Sequence, residues 1–173
     1  MIVNSVPKSF ELLGKVSNKQ FERMLAFDIL ICNRDRHEGN IIIEMSNDFR
    51  MYCIDNSHAL FESIDCGSLS NESKVEKLKG YHSFFGNNKN KHFYQRLAVG
   101  LEFSDEMFTS EVSRIKQILT KDRIKEAVST IPKEWISGSE KWREGAMVDV
   151  LNYRVNHLSD IAGNLIDEMR DDK

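Results

Sequence analysis

Eight consecutive residues, Asn33-Arg34-Asp35-Arg36-His37-Glu38-Gly39-Asn40, limit what this chain can fold into more than any other stretch. They crowd carboxylates, two guanidiniums, an imidazole and two amides between an apolar run and a strand-like Ile41-Ile42-Ile43. A buried polar group needs hydrogen-bond partners, so a fold seldom spends this many between two hydrophobic elements without a use for them. A site is the leading expectation here, and a turn whose Asp and Asn side chains cap backbone groups is the plain alternative.

The flanking elements say how such a loop is held. Ser17 followed by Gln20 fits a capping box, and Phe21, Met24, Leu25 and Ile29 recur near helical spacing, which predicts a helix over about 18–31. Asp28 falls inside that apolar stripe, where it either braces the following loop or sits at a partly exposed edge. Asn40 to Met45 is β-branched, Ser46-Asn47-Asp48 is a turn cluster, and Arg50 to Ile54 reads as a second strand. A β-hairpin over 40–54 returns the chain to its starting end. Asp55 then leaves the hairpin where Asp35 and Asn40 enter it.

After Asp55 the pattern becomes helical. Residues 62–72 read as loop, Val75 to Lys79 as a short helix, Gly86-Asn87-Asn88 as a breaker and Lys91 to Leu101 as a helix. Ser104, Asp105 and Glu106 start another, to about Leu119. Thr120 caps one from Asp122 to Ile131 that Pro132 ends, and Ser139 opens a last, longest helix with Trp142, Ala146, Val150, Tyr153, His157 and Ile161 near one face. At 173 residues this makes a single domain, 1–173. The loop and hairpin occupy 17–61 and a helical subdomain 72–173. The expected class is α+β, mainly α: a helical body with a small β-hairpin carrying the polar loop.

Asp35, Asn40 and Asp55 offer oxygen ligands of the kind that suits Mg²⁺, or Mn²⁺, which takes one or two carboxylates and completes its shell with phosphate oxygens and water. A carboxylate of this set that is not tied to metal can accept a proton from an attacking hydroxyl. Arg34, Arg36 or His37 offset charge on a transferring phosphoryl group. Phosphoryl transfer asks for this positioning and neutralisation rather than covalent catalysis.

Asp35-Arg36-His37-Glu38-Gly39-Asn40 resembles the D-R-H-x-x-N catalytic loop of the phosphatidylinositol 3/4-kinase-like branch of the protein-kinase superfamily, with Ile54-Asp55 in the place of the metal-binding Asp. Phe27 to Asn33, Ile54 to Phe61, and the later Ile131-Pro132-Lys133-Glu134-Trp135 with Arg154 beyond it resemble bacterial HipA-like kinases more closely. The specific motifs lie in residues 27–61. The resemblance implies a kinase C-lobe, ATP with Mg²⁺ or Mn²⁺, and a phosphoryl acceptor that is a protein rather than an inositol lipid. It makes Asp35 the base, Asn40 and Asp55 the metal and nucleotide ligands, and His37 a γ-phosphoryl contact. Arg36, grouped with the catalytic residues, holds the loop through a bidentate hydrogen bond. Two departures stand out. Asn56-Ser57 replaces the usual Phe-Gly after the metal Asp, and no Gly-rich loop precedes Asp35. The expectation is therefore a C-lobe alone, completed by an N-lobe from another chain or segment, with an apolar surface exposed where that lobe docks.

The remaining features set limits. A net charge of −3 gives no whole-chain pull toward nucleic acid or anionic membrane. Cys32, Cys53 and Cys66 lack C-x-x-C spacing, no run reaches the roughly 18 apolar residues of a membrane span, and the N-terminus lacks a signal-peptide core, which together suggest a cytoplasmic protein. Cys32 and Cys53 read as small core residues. His37, His58, Asp35 and Asp55 form an alternative transition-metal set. His58 is otherwise structural, as are His82, His92 and His157, and Trp135 and Trp142 read as packing anchors. Lys74, Lys77, Lys79, Lys89 and Lys91 make a solvated face, or a dock for an acidic partner or nucleic acid. Three functions fit: the completed phosphotransferase, of the kind found in toxin–antitoxin pairs; a kinase-like module that binds a regulatory partner; and a metal-dependent phosphate-handling protein that works alone.

Overall fold

Helix α1 (Asn18–Leu30) is the axis of the fold, because its apolar residues face several elements at once. In this computed structural model the described residues are 2–3, 15–44, 49–56, 59–60, 71–79, 88–100, 103–132 and 141–170. Phe21, Met24, Leu25, Ala26, Ile29 and Leu30 of α1 are buried in the main core. Around it stand α4 (Asp105–Ile118), α6 (Lys141–Asn156) and α7 (Leu158–Arg170). Helix α2 (Asn71–Lys79) and α5 (Lys121–Ser129) pack on α6, and α3 (Asn88–Gly100) packs on α7. The architecture is α+β and mainly α, as expected.

The hairpin forms from β2 (Ile41–Glu44) and β3 (Arg50–Cys53), antiparallel, with Ile41 opposite Cys53 and Glu44 opposite Arg50. Ile41 and Ile43 alternate inward into the core, the period-2 pattern of a strand with one buried face. A strand that the sequence reading missed, β1 (Ile2–Val3), pairs antiparallel with the other edge of β2 and makes the order β1-β2-β3. Two residues carry too little periodicity to announce a strand.

Three other expectations need correcting. Ser17 is the N-cap of α1, but its side chain makes no capping bond. Gln20, expected to close a capping box, instead donates from Nε2 to Phe49 O (3.2 Å) and accepts from Met51 N–H at Oε1 (2.8 Å). It pins the second strand of the hairpin to α1. Helix α2 begins at Asn71, inside the stretch expected to be loop, and Asn88 belongs to α3 rather than to a breaker. The long last helix is two: the chain breaks at His157, whose carbonyl accepts from Asp160 and Ile161 to start α7. Asn156-His157-Leu158-Ser159-Asp160 is poor in strong helix formers, and the break turns α7 so that Leu158, Ile161, Ala162 and Leu165 all reach the core.

By contrast, α4 and α5 start as the sequence predicts. Ser104 Oγ accepts from Met107 N–H and Thr120 Oγ1 from Arg123 N–H. Turn residues 46–48, most of the 62–72 stretch, Gly86-Asn87, Cys66, His58, His82 and Trp135 lie outside the described residues, as do the side chains of Lys89 and Trp142.

Candidate active site

The C-terminal end of α1 launches the polar loop. Its last carbonyls are closed by a full Schellman arrangement: Asn33 N–H donates to Asp28 O (2.8 Å) and Cys32 N–H to Ile29 O (3.1 Å). Cys32 holds the left-handed position of that motif, with φ 54°, where glycine is the usual residue. Its thiol side chain is fully buried against Leu78 and Val150, which offsets the conformational strain. Arg154, itself buried, closes the helix ends further. Its guanidinium donates to Ile29 O (2.6 Å) and Leu30 O (2.9 Å) of α1 and to Leu78 O (3.1 Å) of α2. A cation at two helix C-termini also meets the negative ends of both dipoles.

Beneath the loop lies a buried ion pair. Arg36 and Asp28 are both fully buried, and Arg36 Nε and Nη2 donate to Asp28 Oδ2 (2.8 Å) and Oδ1 (2.9 Å). Arg36 Nη1 donates to Asn40 O (2.9 Å) and Ile54 O (2.7 Å), and Nη2 also donates to Asn56 Oδ1 (2.6 Å). These five bonds match the five N–H groups of a guanidinium. Tyr94 Oη of α3 donates to Asp28 Oδ2 (2.5 Å), and Asn33 Nδ2 reaches both Asp28 Oδ1 and Asn56 Oδ1 at 3.2 Å. Burial disfavours the charged guanidinium, but the Asp28 bond and charge outweigh it and keep Arg36 protonated. Burial next to Asp28 likewise holds the Tyr94 hydroxyl protonated, well above the usual tyrosine range. Nearby, burial pushes the Cys53 thiol up to about 11, which makes it unreactive.

This network decides between the two readings of Asp28: it is a brace, not a stripe edge. It also fixes the role of Arg36. With five hydrogen bonds in the interior, Arg36 holds the loop in place, the role that the resemblance implies for it.

The loop residues that remain are arranged around this brace. Asp35 N–H donates to Asn33 Oδ1 (3.3 Å), and Asp35 O accepts from Asn40 Nδ2 (3.1 Å), so the backbone at Asp35 is fixed from both sides. The half-buried Asp35 carboxylate makes no hydrogen bond among the described residues and lines a cleft of about 690 Å³. His37 caps a short 3-10 turn over Glu38–Asn40, its Nδ1 accepting from Gly39 N–H (3.0 Å). That bond assigns the neutral ring's proton to Nε2, which is left as a donor. Gly39 packs closely under this ring: a Cβ there would stand 2.8 Å from His37 Cε1, so the imidazole would have to shift.

Asn40 is buried, and with its amide nitrogen bound to Asp35 O, its Oδ1 is the atom suited to a cation. Ile54 N–H donates to Asn40 O (3.0 Å), continuing the hairpin ladder by one pair, so Asp55 emerges beside Asn40. Asp55 is exposed and left-handed (φ 53°), a conformation Asp tolerates better than most residues. One amide and one carboxylate fit the sparse protein ligation of Mg²⁺. Among the described residues no three His, Cys, Asp or Glu side chains form a group able to hold a metal ion, so the transition-metal alternative gains nothing, and His58 lies outside them.

Asn33, Asn56 and Tyr94 are participants that the sequence reading did not assign. Asn56 stood out only as a departure from Phe-Gly. Tyr94 lies 66 residues from its partner, and the one available signal is that a buried Tyr hydroxyl needs an acceptor. No protein-family profile, curated protein or solved structure matches this chain.

Proposed function

We propose that this chain is the catalytic-loop half of a HipA-like, ATP- and Mg²⁺-dependent phosphotransferase acting on protein hydroxyls, with the nucleotide-covering lobe supplied from outside these 173 residues. The observation that carries the reading is the Asp28–Arg36 brace. It ties the loop, through Asn40 O, to the chain at Ile54 and Asn56, on either side of Asp55. Asp35, Asn40 and Asp55 are thereby gathered at one hairpin end.

In this reading Asp35 accepts the proton of the acceptor hydroxyl at a carboxylate oxygen, and His37 Nε2–H donates to the phosphoryl group. Asn40 Oδ1 and Asp55 hold the divalent cation, which when bound neutralises charge on the nucleotide phosphates. Arg36 keeps the three at fixed separation.

The test is reconstitution. Mixed with an N-lobe partner and Mg-ATP, the chain is expected to phosphorylate protein, and Asp35→Ala and Asp55→Ala each to abolish transfer with an unchanged circular dichroism spectrum. Full activity in both variants overturns the assignment. The brace also suits a kinase-like binding module, since buried bonds keep the loop's shape with no nucleotide present. A partner captured equally well by wild type and by both variants, with no transfer, favours that second reading.

A further inference from the structure

The backbone at Asp55 is strained and held from both sides. Its φ of 53° lies in the left-handed region, which an L residue keeps only where the surrounding structure over-determines it. Before it, Ile54 N–H donates to Asn40 O (3.0 Å), and Ile54 O accepts from Arg36 Nη1 (2.7 Å). After it, Asn56 Oδ1 accepts from Arg36 Nη2 (2.6 Å) and from Asn33 Nδ2 (3.2 Å). One planar guanidinium thus grips the residues on either side of Asp55, and its two terminal nitrogens set their separation. The chain beyond is closed as well: Asn56 O accepts from Ala59 N–H (3.0 Å), and Leu60 N–H donates to Ile31 O (2.7 Å) at the end of α1.

The two grips ask different things of the sequence. At Ile54 the bonded atoms are backbone, which any residue but proline supplies. At Asn56 the bonded atom belongs to the side chain, so the hold depends on residue type. Asn56 is exposed, yet its amide oxygen is turned inward to two donors, which also orients the amide. We infer that Asn56 is a positioning residue for the cation site: its side-chain oxygen keeps Asp55 in the left-handed conformation in which it emerges beside Asn40. The inference rests on the phosphotransferase reading for the cation, though not for the hold on the backbone. Without that oxygen the chain after Asp55 is free to turn, and Asp55 relaxes to a negative φ that redirects its side chain. Outer partners of this kind orient the groups that touch a metal, and their loss weakens metal binding by about 10–100-fold.

The test needs no catalysis. The full chain is titrated with Mn²⁺ alone, and the free ion is followed by electron paramagnetic resonance. Binding by the wild type that Asp55→Ala abolishes is expected. Asn56→Leu, close in size but without the oxygen, is expected to weaken that binding by about tenfold or more. Asn56→Ala, measured alongside, carries the same expectation with no apolar group added. Asn56→Asp keeps an inward oxygen for Arg36 and Asn33, and is expected to bind at least as tightly as the wild type. Gln20→Ala loosens the hairpin at Phe49 and Met51, away from Asp55. It is expected to lower the melting temperature with Mn²⁺ affinity unchanged, which separates positioning from a general loss of stability.

Wild-type affinity in Asn56→Leu and Asn56→Ala overturns the inference. So does an Asn56→Asp affinity that falls as far as theirs, or a loss of the same size in Gln20→Ala. Each of these results, beside an intact Asp55→Ala effect, leaves the cation assignment standing. No Mn²⁺ binding by the wild type, or binding that Asp55→Ala leaves untouched, removes the cation assignment of the phosphotransferase reading and the inference with it.

Discussion

The Arg36 guanidinium serves five acceptors inside the protein, and the consequences of that arrangement are steep. Arg36→Met leaves Asp28 charged and buried with its main partner gone, so a loss of about 3–5 kcal/mol by denaturant titration is expected. Tyr94→Phe removes one bond to the same carboxylate and should cost about 1–3 kcal/mol. The two effects should add to less or more than their sum, because both act on Asp28. A second buried carboxyl gives a pH prediction. Burial, together with the nearby Glu111 charge, raises the Glu22 pKa above the ordinary glutamate range, with Lys19 opposing. Glu111 goes the other way: its bonds to Arg114 lower it against the effect of burial. A raised pKa favours the neutral folded form, so Glu22 supports the fold at low pH, and that support is lost as pH rises through its folded value. Glu22→Gln should therefore raise the melting temperature at pH 7, with the gain shrinking as pH falls toward the ordinary glutamate range. Glu111→Gln should show the opposite trend.

At the level of elements, the legible parts of this sequence were those whose signals are local. The helix over 18–30, the 41–53 hairpin and the capped starts of α4 and α5 follow from spacing and cap residues that act within one or two turns. The parts that were not legible depend on partners far away in the chain. Gln20 reads as a capping residue because its neighbours fit the pattern, yet Phe49 offers it a backbone acceptor and Met51 a backbone donor that only the folded hairpin brings near. Measured by thermal melting, Ser17→Ala should be close to neutral, and Gln20→Ala should cost about 1–2 kcal/mol for the two strand groups it leaves unpaired. The same reasoning covers the candidate site. The gathering of Asp35, Asn40 and Asp55 by a hairpin was readable from loop and strand patterns. The brace beneath it is half readable, since Asp28 reads as either a brace or a stripe edge and Tyr94 and Asn56 give no such signal.

For the whole molecule, α1 ends where three systems meet: the loop, α2 through Leu78, and α6 through Arg154. Arg154 links helices separated by well over a hundred residues, so its loss should affect cooperativity as well as stability. Arg154→Leu is expected to lower stability by roughly 3 kcal/mol or more, because three helix-end carbonyls lose their donor in a buried setting. It is also expected to lower the denaturant m-value if α2 releases first, which amide exchange at Val75–Lys79 would report. Among the described residues the large apolar side chains left exposed are Phe27, Tyr52, Ile54, Met107 and Ile118. The bond from Tyr94 to Asp28 carries one more consequence. Since Asp28 and Arg36 freeze the loop before any ligand arrives, association at this end of the hairpin has little conformational entropy left to lose. A calorimetric titration of a ligand binding there should show a small entropic penalty, and Tyr94→Phe, by loosening that frame, should make the same binding more enthalpic and more entropically opposed.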